Sequence, residues 1–256
     1  MPTLDAGSSK QAYELFAPAY EDFNRNYMYE RWTGRLLAAA EGAGLEGNRL
    51  LDVACGTGLS FVTMLARGWR VTGCDISPAM LEIARSKVGD DVELVTADMR
   101  ELPELGQFDL VWAVNDPINY LLSVEELEAT LAGMRRNLAP DGVLLFDVNT
   151  LTTFRTFWSR ETVIEGEERR LTWTGRGTRE ATMEGSVYEA RFEVEGDPKS
   201  AHVHRQRHFP EAEVLACIET AGLRCAGVHG ERDGDLHEGF DEEADTKVVY
   251  LCRHAG

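Results

Sequence analysis

The stretch RLLDVACGTGLSFVTMLARGWRVTGCD, residues 49–75, limits the possible folds of this chain more than any other. An apolar run (Leu50, Leu51, Val53) enters a glycine turn at Cys55-Gly56-Thr57-Gly58, an amphipathic segment follows, and a second apolar run ends on Asp75. This order reads as the first βαβ unit of a nucleotide-binding sheet. Two departures from the dinucleotide fingerprint narrow it. The pattern G-x-G-x-x-G needs a third glycine so that helix and strand pack closely, and Phe61 stands there instead. Asp52 lies inside the apolar strand, where an ionised carboxylate is costly unless a donor or a cation meets it.

Beyond this unit the apolar periodicity predicts further alternation of strand and helix. Ser77-Pro78 opens a helix with an N-cap and a proline at its first position. Strands are expected at Val92 to Ala97, Phe108 to Val114 and Gly142 to Asn149, and Ser123 with Glu126 reads as a capping box. The expected fold class is α/β, a doubly wound, mostly parallel seven-stranded sheet. Residues 162–209 switch to a two-residue period, clearest at Tyr188, Ala190, Phe192 and Val194 against Glu189, Arg191, Glu193 and Glu195. The predicted division is a helical arm over 1–45, a core over 46–158 and 210–256, and an antiparallel β insertion over 159–209.

Composition excludes several function classes. The net charge of −18 repels phosphate backbones, so nucleic acid is not an expected partner, while a cationic small molecule would be drawn in. Five cysteines (Cys55, Cys74, Cys217, Cys225, Cys252) without a C-x-x-C pair read as reduced structural thiols and argue against a zinc site. The first 30 residues show no secretory pattern, and nowhere do about 18 apolar residues run together. A soluble, cytoplasmic protein without membrane association or metal is expected.

In an open parallel sheet, ligands bind beyond the carboxyl ends of the strands. Ala54, Gly56 and Gly58 would bring backbone to the ligand. Asp75, 17 residues past Gly58, is placed to accept both hydroxyls of a ribose. Asp98, with Met99, would receive an exocyclic amine of adenine between the apolar Ile76 and Met80. The run HVHRQRH places His202, His204 and His208 on one strand face; no acid or cysteine nearby completes a metal set, which leaves satisfied or exposed histidines, one of them open to a base role.

The segments LDVACGTG, GCDIS, TADM and GVLLFDVNT resemble the successive motifs of class I S-adenosylmethionine-dependent methyltransferases over roughly residues 50–150. The resemblance implies that Asp52 fixes the glycine loop and the methionyl ammonium, that Asp75 holds ribose and that Asp98 reads adenine. A YxxxAxxY arm, an NxxxNYL segment and the insertion are similar to bacterial small-molecule N-methyltransferases, including those acting on amino sugars in antibiotic pathways. That likeness implies an arm folded over the cofactor, with Tyr13 and Tyr20 at the methionyl end or the acceptor, and an insertion that roofs the acceptor pocket or forms a homodimer contact. NDPINY resembles only loosely the Asn-Pro-Pro-Tyr motif of nucleobase-amine methyltransferases; Asn115 is expected to serve the cofactor, and Asn119 and Tyr120 to face the acceptor or start the next helix. The expected activity is S-adenosylmethionine-dependent methyl transfer to an amine of a small molecule, with Tyr20 and Tyr120 positioning it. O-methylation of a phenol or hydroxyl, with His208 as base, is the runner-up, ahead of a non-catalytic cofactor binder or an NAD-dependent dehydrogenase.

Overall fold

A computed structural model describes residues 9–167, 169–177 and 183–256. The first eight residues of the predicted arm, and positions 168 and 178–182 of the predicted insertion, lie outside the described residues. The strand β1 (Arg49–Val53) pairs in parallel with β2 (Arg70–Asp75) on one side and β4 (Phe108–Ala113) on the other. Leu50, Leu51 and Val53 are therefore buried on both faces, which explains why the strand is apolar around Asp52. The parallel part is completed by β3 (Glu93–Thr96) and β5 (Leu138–Asn149).

Beyond β5 the sheet turns antiparallel through β12 (Lys247–His254), β10 (Leu223–Arg232) and β11 (Asp235–Glu238). The order is β11-β10-β12-β5-β4-β1-β2-β3, eight strands where seven were expected. The added β11 follows from Asp233-Gly234, both at positive φ (53° and 78°), a two-residue turn whose twist suits a hairpin. Apolar cores lie on both faces of the sheet. Among the described residues no helix is long and apolar enough to cross a membrane.

The predicted insertion is a second, four-stranded antiparallel sheet, β6 (Glu161–Glu165), β7 (Arg170–Gly175), β8 (Val187–Val194) and β9 (Asp197–Arg207). Its inner face presents Trp173, Tyr188, Phe192, His202 and His204; its outer face carries ion pairs such as Arg205–Glu189 and Arg191–Glu193. The inner face packs on the arm helices α1 (Ser9–Phe16) and α2 (Tyr20–Asn24) through Phe16 and Phe23. The arm is also tied to the large sheet: Ser77 Oγ donates to Glu14 (3.0 Å), and Lys87 pairs with Glu21 while donating to the Thr57 carbonyl (2.8 Å).

Candidate active site

The strand order reverses between β1 and β4, and the carboxyl ends of β1, β2, β3 and β4 open there into a cavity. It encloses about 640 Å³, part of it open to solvent, and the arm closes over it. Nine of the residues expected from sequence line it together: Tyr13, Tyr20, Ala54, Gly56, Asp75, Ile76, Asp98, Met99 and Tyr120. Ser9, Ala97, Arg100, Pro117 and Leu121 complete the wall and were not anticipated. Arg100 had a visible signal in its spacing, two residues past Asp98.

The glycine turn is held in a left-handed course, with Ala54, Gly56 and Gly58 at φ of 57°, 55° and 83°. Phe61, in the helix α3 (Leu59–Ala66), accounts for the missing third glycine. Its ring lies against Gly58, where an added Cβ would collide with Cζ, and near Gly73 in β2, where it would meet Cε1 at 3.2 Å. Close packing is achieved by removing side chains around the ring rather than at position 61. Tyr20 lies over Gly56, its ring atoms 3.9 Å from where a Cβ would stand.

Asp75 is buried and anchored by backbone donors: Gly56 N–H to Oδ2 (2.8 Å) and Ser77 N–H to Oδ1 (2.9 Å). Each oxygen keeps a further acceptor site. Burial raises its pKa to about 6, against the pull of those donors. Asp98 is gripped by Arg100, whose Nε and Nη2 meet its two oxygens at 2.9 and 2.6 Å; this hydrogen bonding lowers its pKa, against partial burial. Arg100 is itself steadied by Glu126 (2.8 Å). Asp52 sits beneath the turn rather than in the wall. It is 1% exposed, accepts from Ser60 Oγ (2.6 Å), and burial pushes its pKa to about 7.

The arm side of the cavity is aromatic. Tyr13 stands edge-on to Tyr120 (5.1 Å between ring centres), and burial raises the pKa of Tyr13, Tyr20 and Tyr120 above the ordinary phenol value. Tyr120 Oη lies 2.9 Å from His204 Nδ1.

Several expected residues lie elsewhere. Met80 is fully buried with the arm aromatics and does not flank Asp98 in the wall. Asn115 (φ 69°) donates its N–H to Asp147 (3.0 Å), and among the described residues its buried side-chain oxygen has no hydrogen-bond partner. Asn119 is structural: its amide donates to Arg207 O and accepts from Asn149 N–H, both at 2.8 Å. His208 falls just past the end of β9 and leaves the cavity; Nδ1 accepts from Gly185 N–H (3.2 Å) and Nε2 faces Glu242 (3.3 Å). His204, rather than His208, meets the cavity wall, from behind, through the Tyr120 hydroxyl.

Residues 50–142 match the family model described as a methyltransferase domain. Over 251 residues the chain is 32% identical to a provisionally named methyltransferase of Geobacillus sp. (strain WCH70), covering 94% of this chain and 99% of that protein. It is 29% identical over 194 residues to the dTDP-3-amino-3,4,6-trideoxy-alpha-D-glucopyranose N,N-dimethyltransferase of Streptomyces venezuelae, covering 74% and 81% of the two chains. Among solved structures, an S-adenosylmethionine-dependent methyltransferase from Clostridium acetobutylicum superposes with a TM-score of 0.77 at 19% identity, covering 95% of this chain and 99% of that one. DesVI of Streptomyces venezuelae superposes at 0.70 and 26% identity, covering 91% and 97%. With the strand order, the glycine turn and the acid-lined cavity, these likenesses show that the chain belongs to the S-adenosylmethionine-dependent methyltransferases.

Proposed function

We propose that the protein methylates the amine nitrogen of a small metabolite, an amino sugar being the favoured class. The residues present fit the methyl donor. Asp52 is a buried carboxylate beneath the glycine turn, with the Ser60 hydroxyl as donor and the Trp112 indole beside it, and the methionyl ammonium would offset its charge directly or through water. Asp75 would take the two ribose hydroxyls on its free acceptor sites, and Asp98 the adenine amine, with Ile76 and Met99 as apolar neighbours. S-adenosylmethionine, when bound, supplies a methyl carbon made electrophilic by its sulfonium.

The observation that carries the amine reading is the chemistry of the wall opposite the acids. Three phenols held neutral by burial line it, and the other ionisable lining residues are Asp75, Asp98 and Arg100. Neutral phenols orient a ligand by hydrogen bonds but do not ionise a hydroxyl, whereas an amine needs only to be neutral at the moment of attack. Tyr20 and Tyr120 would align the nitrogen, and the closed arm would exclude water. The named activity of the Streptomyces venezuelae relative, on a sugar amine, supports the same class.

The test is methyl-labelled S-adenosylmethionine offered with dTDP-linked amino sugars, simple amines and phenols. Label is expected in the amines, and a Tyr20→Phe/Tyr120→Phe double variant is expected to lose turnover. Normal turnover by that variant would refute the assigned roles.

A further inference from the structure

Behind the cavity wall runs a line of hydrogen bonds that methyl transfer, as described above, leaves unused. Tyr120 Oη lies 2.9 Å from His204 Nδ1, His204 Nε2 lies 2.9 Å from His202 Nε2, and His202 Nδ1 lies 2.6 Å from the backbone carbonyl of Ser200. The two histidines are two residues apart on β9, so both rings hang from the inner face of the second sheet, opposite Phe192 and Ala190. Around them stand Tyr13 and Phe16 of α1, Trp173 of β7, Phe192 of β8, and Tyr120. Among the described residues no carboxylate is hydrogen-bonded to either ring. Burial lowers the pKa of both, that of His204 well below the ordinary value, so both rings are neutral at pH 7.

The carbonyl fixes the polarity of the line. Ser200 O only accepts, so His202 Nδ1 carries a hydrogen. In a neutral ring Nε2 is then an acceptor, which makes His204 Nε2 a donor and His204 Nδ1 an acceptor. The Tyr120 hydroxyl must therefore donate to His204. Every hydrogen in the line points away from the cavity, and the phenolic oxygen is left as an acceptor.

We propose that Tyr120, His204 and His202 form a proton relay that removes the proton an ammonium acceptor must lose before attack, the two histidines acting through Tyr120. This rests on the amine reading above. The acceptor N–H bonds to Tyr120 Oη. As its proton transfers, the phenol proton passes to His204 Nδ1 and the His204 Nε2 proton passes to His202 Nε2. Phenol and His204 stay neutral, and the charge comes to rest on His202, which is 5% exposed against 1% for His204 and is held by the Ser200 carbonyl until solvent takes the proton. The freed amine lone pair forms the N–C bond; the C–S bond breaks and its electron pair returns to sulfur.

Nitrogen NMR of the isotopically labelled full chain tests the polarity without an acceptor. The expected result at pH 7 is a hydrogen on Nε2 of His204 and on Nδ1 of His202, with the His204 Nδ1 signal moving in Tyr120→Phe; the opposite tautomers, or charged rings, would overturn the relay. The activity arm uses dTDP-3-amino-3,4,6-trideoxyglucose and S-adenosylmethionine. His204→Phe is expected to lower kcat about 100-fold, within the range of general-base catalysis, with KM and S-adenosylhomocysteine affinity changed less than about twofold. In His204→Ala, added imidazole should restore turnover, while pyrrole, which cannot take a proton, should not. Unchanged kcat in His204→Phe, or equal rescue by pyrrole, overturns the proposal. A wild-type protein that methylates no amine would instead sink the amine reading, and the tautomers would still decide the polarity of the line.

Discussion

Asp52→Asn is expected to make the donor-free protein more heat-stable at pH 8 while weakening its hold on S-adenosylmethionine. The carboxyl is 1% exposed and its pKa stands at about 7 against an ordinary 3.8. A carboxyl whose pKa rises on folding binds its proton more tightly in the folded state. Its contribution is therefore fully favourable below the ordinary value and is lost as pH rises through about 7. Each factor of ten in that equilibrium is worth about 1.4 kcal/mol, so holding the ionised form at pH 8 costs on the order of 4 kcal/mol. Asparagine keeps an oxygen for Ser60 but buries an amide N–H in place of an acceptor, at a cost of about 1–3 kcal/mol. The net gain is about 2 kcal/mol, or roughly 4–8 °C in Tm for a chain of this length. Below pH 5, where the aspartate is already neutral, the gain should vanish or reverse. Thermal melts of both proteins from pH 5 to 8.5 measure this directly. Melting curves that stay parallel across that range would refute the claim that an under-satisfied charge sits at Asp52. Calorimetry should then find S-adenosylmethionine bound about 10–100-fold more weakly by the variant, since the partner of its ammonium is gone.

Further outcomes follow from the same geometry. Asp75→Asn places an N–H where Gly56 or Ser77 already donates, and S-adenosylhomocysteine affinity should fall about 100-fold, two charge-assisted hydrogen bonds being lost. In the wild type the same affinity should decline as pH drops below about 6, where the Asp75 carboxyl takes up its proton; a flat profile from pH 5 to 8 would count against the ribose role. Gly58→Ala combines a positive φ with a Cβ driven into the Phe61 ring, and urea unfolding should show a loss of about 3 kcal/mol.

What could be read from the chain was local. Asp52, the glycine turn, Asp75 and Asp98 belong to short strand-end motifs whose spacing already places them at one edge of a parallel sheet. The aromatic arm was legible as a pattern, and its docking on the second sheet agrees with the two-residue period over Tyr188–Val194. β11 had a signal in Asp233-Gly234 that a count of strands overlooked. The histidine run shows the limit. Parity put His202, His204 and His208 on one face, but β9 ends at Arg207, so His208 turns toward Glu242. His204 meets Tyr120 across 84 residues of chain, a contact set by how the second sheet and the arm pack together, which spacing along either segment cannot express. The NDPINY segment points to Asn115 for the cofactor and Asn119 for the acceptor or the next helix start; the fold uses Asn119 as a backbone tie and brings the Asn115 N–H to Asp147.

The most direct measurement of the central claim is the fate of the methyl group. The full chain is incubated with methyl-labelled S-adenosylmethionine and an equimolar mixture of amino sugars, simple amines and phenols, and the products are resolved by mass and NMR. The account predicts label on nitrogen, with S-adenosylhomocysteine formed in equal amount. Label on oxygen, or bound donor with no transfer to any amine, would contradict it.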